Sequence, residues 1–572
     1  MLELIVNDKP VKADKGEMLL SVLRRQGIDI PTLCHVEGLT PTGACRLCVV
    51  EVEGQSGLVP SCACQVYNGM KVKTHTNRLI EARRTLLELI MSSHPDDCLY
   101  CQRRDTCELL ELASKLGIKE RRYKSVRSNP SLDISSPSIV RDPSKCILCG
   151  RCVRVCEEIQ GVGAIDFIGR GSDCSVGTAF NEGLNTSSCV NCGQCITACP
   201  VGALTEARHI NRVLNAMSNP ELTIVVQHAP AVSVTLGEMY NLPSAADVQG
   251  VMIAGLRKAG FDFVFDTGFS ADLTIMEEAS ELVSRISNGG VLPMMTSCSP
   301  AWVKFVEQYY PEMIPSLSTC KSPMQMLGAI TKSWWAEKNK LDKSKIFSVA
   351  VMPCTAKKFE ASRPEMGIGI PDIDAVLTTR ELYDLFNIKG VKPFELKPMN
   401  NDNPFGQRST AGKLFGATGG VMEAAIRTAH FLITGENMKN PVITELRDMT
   451  GIKEARVKIG ELEIGVAVAS GLSNARKLLD EIKMGRKDIH FIEIMSCPGG
   501  CIGGGGQPYG TDFESVRNRM SLLYKIDKEE TVKYSHENQS ISELYRDFLG
   551  KPLSGKSHTL LHTEYMNRVV MK

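Results

Sequence analysis

Met495 to Pro508 reads M-S-C-P-G-G-C-I-G-G-G-G-Q-P, two thiols set among six glycines. Cys497 and Cys501 are four apart, so a helical turn would put both thiolates on one side, an arrangement suited to a soft metal. Glycine removes side-chain bulk and lets the backbone approach something large and inorganic. A glycine turn holding two buried cysteines is the competing reading. Two further loops bear on the choice, Met352-Pro353-Cys354-Thr355-Ala356-Lys357-Lys358 and Thr296-Ser297-Cys298-Ser299-Pro300-Ala301-Trp302. Three separated cysteine loops in one apolar stretch point to one buried metal site assembled from distant parts of the chain.

The totals support a metalloprotein. A chain of 572 residues is too long for one core. Lys plus Arg number 66 against 65 for Asp plus Glu, a net charge of +1 that implies no nucleic-acid partner. No run reaches the roughly 18 apolar residues of a membrane span. Leu2 to Val6 reads as a strand rather than a signal core, and Arg24-Arg25 lies inside a helical pattern, so a cytoplasmic protein is expected. Of 22 cysteines, 17 precede residue 200 in tight C-x-x-C groups, which favour metal over disulfides.

Those groups divide the N-terminal part into three. In residues 1–78 the alternating Leu2–Val6 and a helical pattern from Met18 to Gln26 precede Cys34, Cys45, Cys48 and Cys62, which resemble a plant-type [2Fe–2S] ferredoxin with a long first gap. Cys64 is a spare. In residues 79–125 an amphipathic pattern, Leu79 to Met91, delivers His94, Cys98, Cys101 and Cys107. In residues 126–209 Cys146, Cys149, Cys152 and Cys156 form C-x2-C-x2-C-x3-C, and Cys189, Cys192, Cys195 and Cys199 repeat it. In this bacterial 2[4Fe–4S] ferredoxin run the fourth cysteine ligates the other copy's cluster. Cys199 is therefore assigned to the cluster of Cys146, Cys149 and Cys152, and Cys156 to that of Cys189, Cys192 and Cys195. Cys174 reads as unliganded.

From residue 210 to 572 strands alternate with helices, and the expectation is an α/β domain within a multidomain α+β and α/β chain. Ile224–Val226, Phe263–Phe265, Val291–Met295 and Phe347–Met352 are its buried-strand candidates. Glu278, Glu281 and Arg285 fall on one face of a helix over Thr274–Ile286, a pattern most often found on a solvated surface. Phe415 to Ala425 lacks both a P-loop and a dinucleotide fingerprint. His558 and His562 read as a packed tail.

The three cysteine loops, with the cysteine groups before them, closely resemble the [FeFe]-hydrogenases of the multi-cluster clostridial type over nearly the whole chain. The resemblance implies ferredoxin-linked interconversion of protons and dihydrogen at an H-cluster, a [4Fe–4S] cubane sharing one cysteine with a di-iron unit that carries CO, cyanide and a bridging dithiolate. It assigns Cys354, Cys497 and Cys501 to the cubane and makes Cys501 the shared sulfur. Lys357 is aimed at a cyanide, and Met352, Pro353, Phe415, Gly416 and Met495 belong to the wall. Pro230, Ala231 and Ala356 stand where relatives can carry serine donors. Glu278, Glu281, Arg285 and Ser318 become a proton path ending at Cys298.

The same resemblance gives His94 with Cys98, Cys101 and Cys107 a [4Fe–4S] cluster, for three accessory [4Fe–4S] clusters beside the [2Fe–2S]. It implies a ferredoxin or flavodoxin partner, H-cluster maturation proteins, and a monomer. The family usually has adjacent cysteines, a proton relay and then a cubane ligand, where this chain has Cys298-Ser299. Either Cys298 is the relay and Ser299 stands at the ligand position, or Cys298 shifts to bind the cubane. A respiratory NADH dehydrogenase subunit and a hydrogen-sensing or cluster-assembly protein are the other readings.

Overall fold

The computed structural model describes residues 1–125, 131–243 and 246–570. The expected boundary at 125/126 adjoins residues 126–130, outside the described residues. The chain opens with a five-stranded sheet whose order is Lys9–Ala13, Leu2–Val6, Lys71–Lys73, Val49–Val52, Val59–Pro60. Alternation sets its faces, since Leu4 and Val6 are buried while Glu3 and Ile5 face solvent. The helix Leu19–Arg25 covers the sheet with Leu19, Leu20, Val22 and Leu23. The helix Asn77–Ser92 follows, capped by the Thr76 hydroxyl, which accepts from the Leu79 amide at 3.3 Å. Its buried Arg83 donates to the Val49 carbonyl at 2.8 Å, so the helix is fixed to the first sheet.

The ferredoxin-like segment closes on a two-stranded pair, Ile139–Arg141 against Leu204–Glu206. Its two cysteine runs enter short helices, Arg151–Arg154 and Gln194–Ala198, each behind a left-handed glycine, Gly150 and Gly193. A hairpin, Asp166–Ile168 with Ser175–Gly177, separates the runs and carries Cys174 between its strands.

Two four-stranded sheets form the C-terminal part. One is wholly parallel, in the order Phe263–Asp266, Thr223–His228, Ile346–Met352, Ala375–Thr378. The other runs Met294–Met295, Phe491–Met495, Leu462–Ser470, Ile452–Ile459, with an antiparallel hairpin at its edge. The strand expected over Val291–Met295 is only Met294–Met295, because Pro293 has no N–H to give a ladder. Parallel strands leave ligand-binding loops at their carboxyl ends. Pro230, Pro353-Cys354, Thr296-Ser297-Cys298 and Ser496-Cys497 all leave strands there. Among the described residues no helix is long and apolar enough to cross a membrane.

The glycine loop locks these parts together. A Cβ on Gly505 would collide with the Cys192 carbonyl and Gly193, and one on Gly504 with the Pro353 carbonyl. What most of these glycines approach is backbone, so chain packing itself requires them. Gly505→Ala should therefore cost about 2 kcal/mol or more by overpacking. The unfolding midpoint should fall by several degrees, and an unchanged midpoint would contradict this contact.

Candidate metal centres and proton path

The N-terminal thiols gather in groups. Cys34 is in hydrogen-bond contact with Cys45 and Cys62, and Cys48 with Cys62. Cys64 stands apart and donates to the Gln65 carbonyl. Cys98, Cys101 and Cys107 lie on two consecutive turns, with Cys98 exposed and Cys101 against Gly202. His94 follows the helix Asn77–Ser92, and Arg121 holds its carbonyl at 2.6 Å. One cavity is lined by Cys146, Cys149, Cys152 and Cys199. Another is lined by Cys156, Cys189, Cys192 and Cys195. Each run's fourth cysteine thus stands with the other run's first three.

A third cavity, with about 830 Å³ not filled by atoms, lies where the two C-terminal sheets meet the ferredoxin-like segment. Cys298, Ser299, Cys354, Cys497 and Cys501 line it, with Pro230, Ala231, Met352, Pro353, Lys357, Phe415, Gly416 and Met495. Ala356 is buried just behind this wall. Cys192 lines both this cavity and the ferredoxin cavity next to it. No helical turn joins Cys497 to Cys501: Gly499 and Gly500 take φ of +78° and +95°, and Cys501 opens a short 3₁₀ turn. The thiols converge through a glycine-built loop instead of by helical spacing.

Cys298 and Ser299 face different neighbours. The Ser299 hydroxyl pairs with that of Ser496 at 2.9 Å, next to Cys497. Cys298 shares the cavity wall with Lys357 and Cys501 and lies in the field of Glu278 and Glu493. Burial, then Glu278, push the Cys298 thiol well up, while Lys357 pulls it down, so it keeps its proton. Lys357 Nζ donates to Glu360 at 2.8 Å and to the Cys298 carbonyl at 3.1 Å.

The acidic face is not on the surface. The helix Thr267–Asn288 buries Glu278 and Glu281. Arg285 forms an ion pair with Glu281 at 2.6 Å, and the Ser318 hydroxyl donates to Glu281 at 2.8 Å. Burial, then Glu281 beside it, push the Glu278 carboxyl up to about 8, opposed by the nearby Ser318 hydroxyl and Ser297 amide. From Arg285 at the partly exposed end of the helix, hydrogen bonds run through Glu281 to Ser318, whereas Glu278, in the field of both Ser318 and Cys298, has no hydrogen-bond partner on either carboxylate oxygen among the described residues.

Cys354, Cys497 and Cys501 around one largely apolar cavity suit an iron–sulfur group with an apolar neighbour. On the turn that gives Pro323 and Met324 to the cavity wall, Gln325 has both amide atoms buried without a partner among the described residues. Such orphaned atoms fit a site built around a further group. Gln325, Met324, Glu360 and Gln507 had no sequence signal. Gln507 donates to the Ala231 and Cys501 carbonyls, each at 3.3 Å, and so braces the glycine loop.

Comparison with known proteins gives five family matches along the chain. Residues 222–505 match "Iron only hydrogenase large subunit, C-terminal domain", and 513–568 match "Iron hydrogenase small subunit". Residues 1–77 match a 2Fe-2S iron-sulfur cluster binding domain. Residues 83–122 match the NADH-ubiquinone oxidoreductase-G iron-sulfur binding region, and 136–205 the ferredoxin-like domain of NADH-quinone oxidoreductase subunit 3. The chain is 45% identical to the NADP-reducing hydrogenase subunit HndD of Solidesulfovibrio fructosivorans, over 99% of each chain. It is 40% identical to iron hydrogenase 1 of Clostridium pasteurianum, over 99% of this chain and all of that one. A solved [FeFe]-hydrogenase from Chlamydomonas reinhardtii superposes with a TM-score of 0.58 at 40% identity, covering 63% of this chain and 99% of that one.

The shift at Glu278 carries a signed consequence. An unperturbed carboxyl loses its proton near 4.5, whereas the folded protein holds it to about 8. The folded state binds the extra proton in that interval, so stability falls as pH rises through it. Glu278→Gln removes this loss. Its unfolding midpoint should exceed the parent's by a few degrees at about pH 9 and differ little at about pH 4. A difference independent of pH would contradict the shift.

Proposed function

We propose the following division of labour for this chain, which belongs to the [FeFe]-hydrogenase family. The activity is the interconversion of protons and electrons with dihydrogen, electrons passing through the N-terminal iron–sulfur domains. When bound, the H-cluster supplies the two-electron chemistry of 2H⁺ + 2e⁻ ⇌ H₂, which side chains cannot provide. Cys354, Cys497 and Cys501 hold its cubane, with Cys501 the shared sulfur. Met352, Pro353, Phe415 and Met495 exclude water from the di-iron end. Pro230 and Ala231 close the wall without hydroxyl donors, and Lys357 offers its ammonium to a cyanide.

Of the two roles open to Cys298, relay is the better supported. The observation that carries it is that Cys298 lines the cavity with Lys357 and Cys501, with Lys357 bonded to its carbonyl, while Ser299 turns to Ser496 next to Cys497. A protonated thiol there can give its proton at the cavity and be refilled by Glu278, which Ser318, Glu281 and Arg285 connect toward solvent. Ser299 then stands at the fourth cubane position, where an alcohol is a poorer ligand than thiolate.

The wire comprises one [2Fe–2S] cluster on Cys34, Cys45, Cys48 and Cys62 and a [4Fe–4S] cluster on His94, Cys98, Cys101 and Cys107. Two more [4Fe–4S] clusters would be held by the cross-paired cysteines, Cys146, Cys149, Cys152 and Cys199 in one cavity and Cys156, Cys189, Cys192 and Cys195 in the other. Cys192, lining two cavities, is the last step to the H-cluster. The electron partner is a ferredoxin or flavodoxin, maturation proteins load the di-iron unit, and the enzyme works as a cytoplasmic monomer.

Cys298→Ala should keep the CO and cyanide infrared bands and lose nearly all turnover, about 100-fold or more for a lost proton donor. Loss of those bands together with the cubane would instead make Cys298 a ligand, and full activity would remove it from both roles. Ser299→Cys should raise the fraction of protein carrying a complete cubane, read by iron content and electron paramagnetic resonance. An unchanged fraction would take Ser299 out of the ligand position. His94→Cys adds an anionic ligand and should alter that cluster's potential. It should slow exchange with ferredoxin more than turnover driven by a small dye, and equal loss with both would remove His94 from the external route.

A further inference from the structure

Beyond the residues from Arg285 to Cys298, a second polar chain meets Glu281 from the C-terminal side. The Thr319 hydroxyl lies 3.4 Å from Glu281 Oε2 and 2.7 Å from His562 Nδ1. The other ring nitrogen, His562 Nε2, lies 3.1 Å from Glu277 Oε2. Glu277 is fully buried and also accepts from the Tyr545 hydroxyl at 2.5 Å, the Leu553 amide at 2.8 Å and the Ser557 hydroxyl. Despite its burial these donors, His562 first, hold its carboxyl below the ordinary value. His562 thus has a buried carboxylate on one ring nitrogen, and on the other a hydroxyl that reaches the proton path.

Other groups face this histidine. Cys320 lies across from it, with its thiol pushed well up by burial and then by Glu281, Glu278 and Glu277. His558, on the same helix, stacks on it at 4.7 Å and is exposed. Tyr545 approaches from the preceding helix, and Lys321, whose amide bonds the Leu561 carbonyl, turns its ammonium to Asp372. One ligand atom each of Glu281, Cys320 and His562 lie within 4.8 Å of one another, a spacing open to a cation. Glu281 Oε2, however, already accepts from Ser318, the Thr319 amide and the Thr319 hydroxyl, and Glu281 Oε1 is paired with Arg285. The cluster is saturated as a hydrogen-bond network.

We propose that His562, held by Glu277 and joined to Glu281 through the Thr319 hydroxyl, is a one-proton store on the proton path. The reaction needs two protons, and the store holds one a single hydroxyl away from Glu281. In discharge the imidazolium gives its Nδ1 proton to Thr319 Oγ as the Thr319 hydroxyl proton passes to Glu281. Neutral imidazole remains, its Nε2–H still on Glu277, and the reverse transfer recharges it. This inference rests on Glu281 carrying protons as proposed above.

The test compares full-length, cluster-loaded parent with His562→Gln and Thr319→Val over pH 5–8, the range in which histidines as a class change charge. His562→Gln keeps a polar group but cannot store a proton, and Thr319→Val cuts the link with little change in volume. Both should lower turnover about threefold at the acid end and leave it near parental at the alkaline end. The infrared bands of the active site should be unchanged. Independently of turnover, ¹⁵N-histidine resonances of the protein without its di-iron unit should show an imidazole titration that vanishes in His562→Gln. The same titration should move to lower pH in Glu277→Gln. A loss uniform across pH, no loss at all, or a titration indifferent to Glu277→Gln would overturn the store. If Glu281→Gln leaves turnover at the parental level, the proton path itself fails, which separates that failure from failure of the store.

Discussion

Arg380 holds the molecule's parts in register. Its guanidinium grips the Glu206 carboxylate at 3.0 and 2.9 Å and donates to the Gly505 carbonyl at 2.9 Å and to the Gln507 carbonyl. Both charges are buried, and Glu206 is pulled down to about 2 against the upward push of burial. Removing one partner from such a pair costs several kcal/mol, roughly 3–5, because the other is left uncompensated. Tyr509 lies between Arg380 and Arg103, and Arg103 in turn bonds the Cys199 carbonyl at 2.6 Å. One stacked pair of cations therefore touches the segment of Cys98, Cys101 and Cys107, the ferredoxin-like segment and the glycine loop.

Electron transfer and proton transfer ask opposite things of the surroundings, and the fold separates them. Electrons need successive sites packed closely, and bare glycine backbone against Cys192-Gly193 provides that at one end of the main cavity. Protons need a file of groups that hold and release charge, and the proposed path lies on the helix Thr267–Asn288 at the other end. Burial raises both Glu278 and Cys298 there. Lys357 lies between the two regions, tied to Glu360 and to the Cys298 backbone.

Much of this was legible in the sequence because cysteine spacing is a strong local signal. The repeated four-cysteine runs imply the crosswise grouping of Cys156 and Cys199 before any coordinates, and the helices at Leu19–Arg25 and Asn77–Ser92 follow from apolar periodicity. The ferredoxin and hydrogenase character of the chain came from the same motifs. The geometry between Cys497 and Cys501 did not, since spacing of four suggests a helix where left-handed glycines build a loop. The burial of the acidic face was hidden for a related reason. Glu278, Glu281 and Arg285 have the pattern of a solvated helix, and packing from distant segments, Ser318 and the C-terminal tail among them, encloses it. Arg380, Gln507 and His562 act across more than 100 residues of sequence, and local pattern carries no trace of such contacts.

The proposed activity requires a di-iron unit in the cavity between the cysteine loops and protons delivered by the protein. The most direct measurement is the infrared spectrum of the matured full-length protein, taken under argon and then under dihydrogen. CO and cyanide stretches should be present and should shift reversibly on adding and removing dihydrogen. Matured protein that contains its iron–sulfur clusters but shows no such bands, or bands indifferent to dihydrogen, would contradict the account.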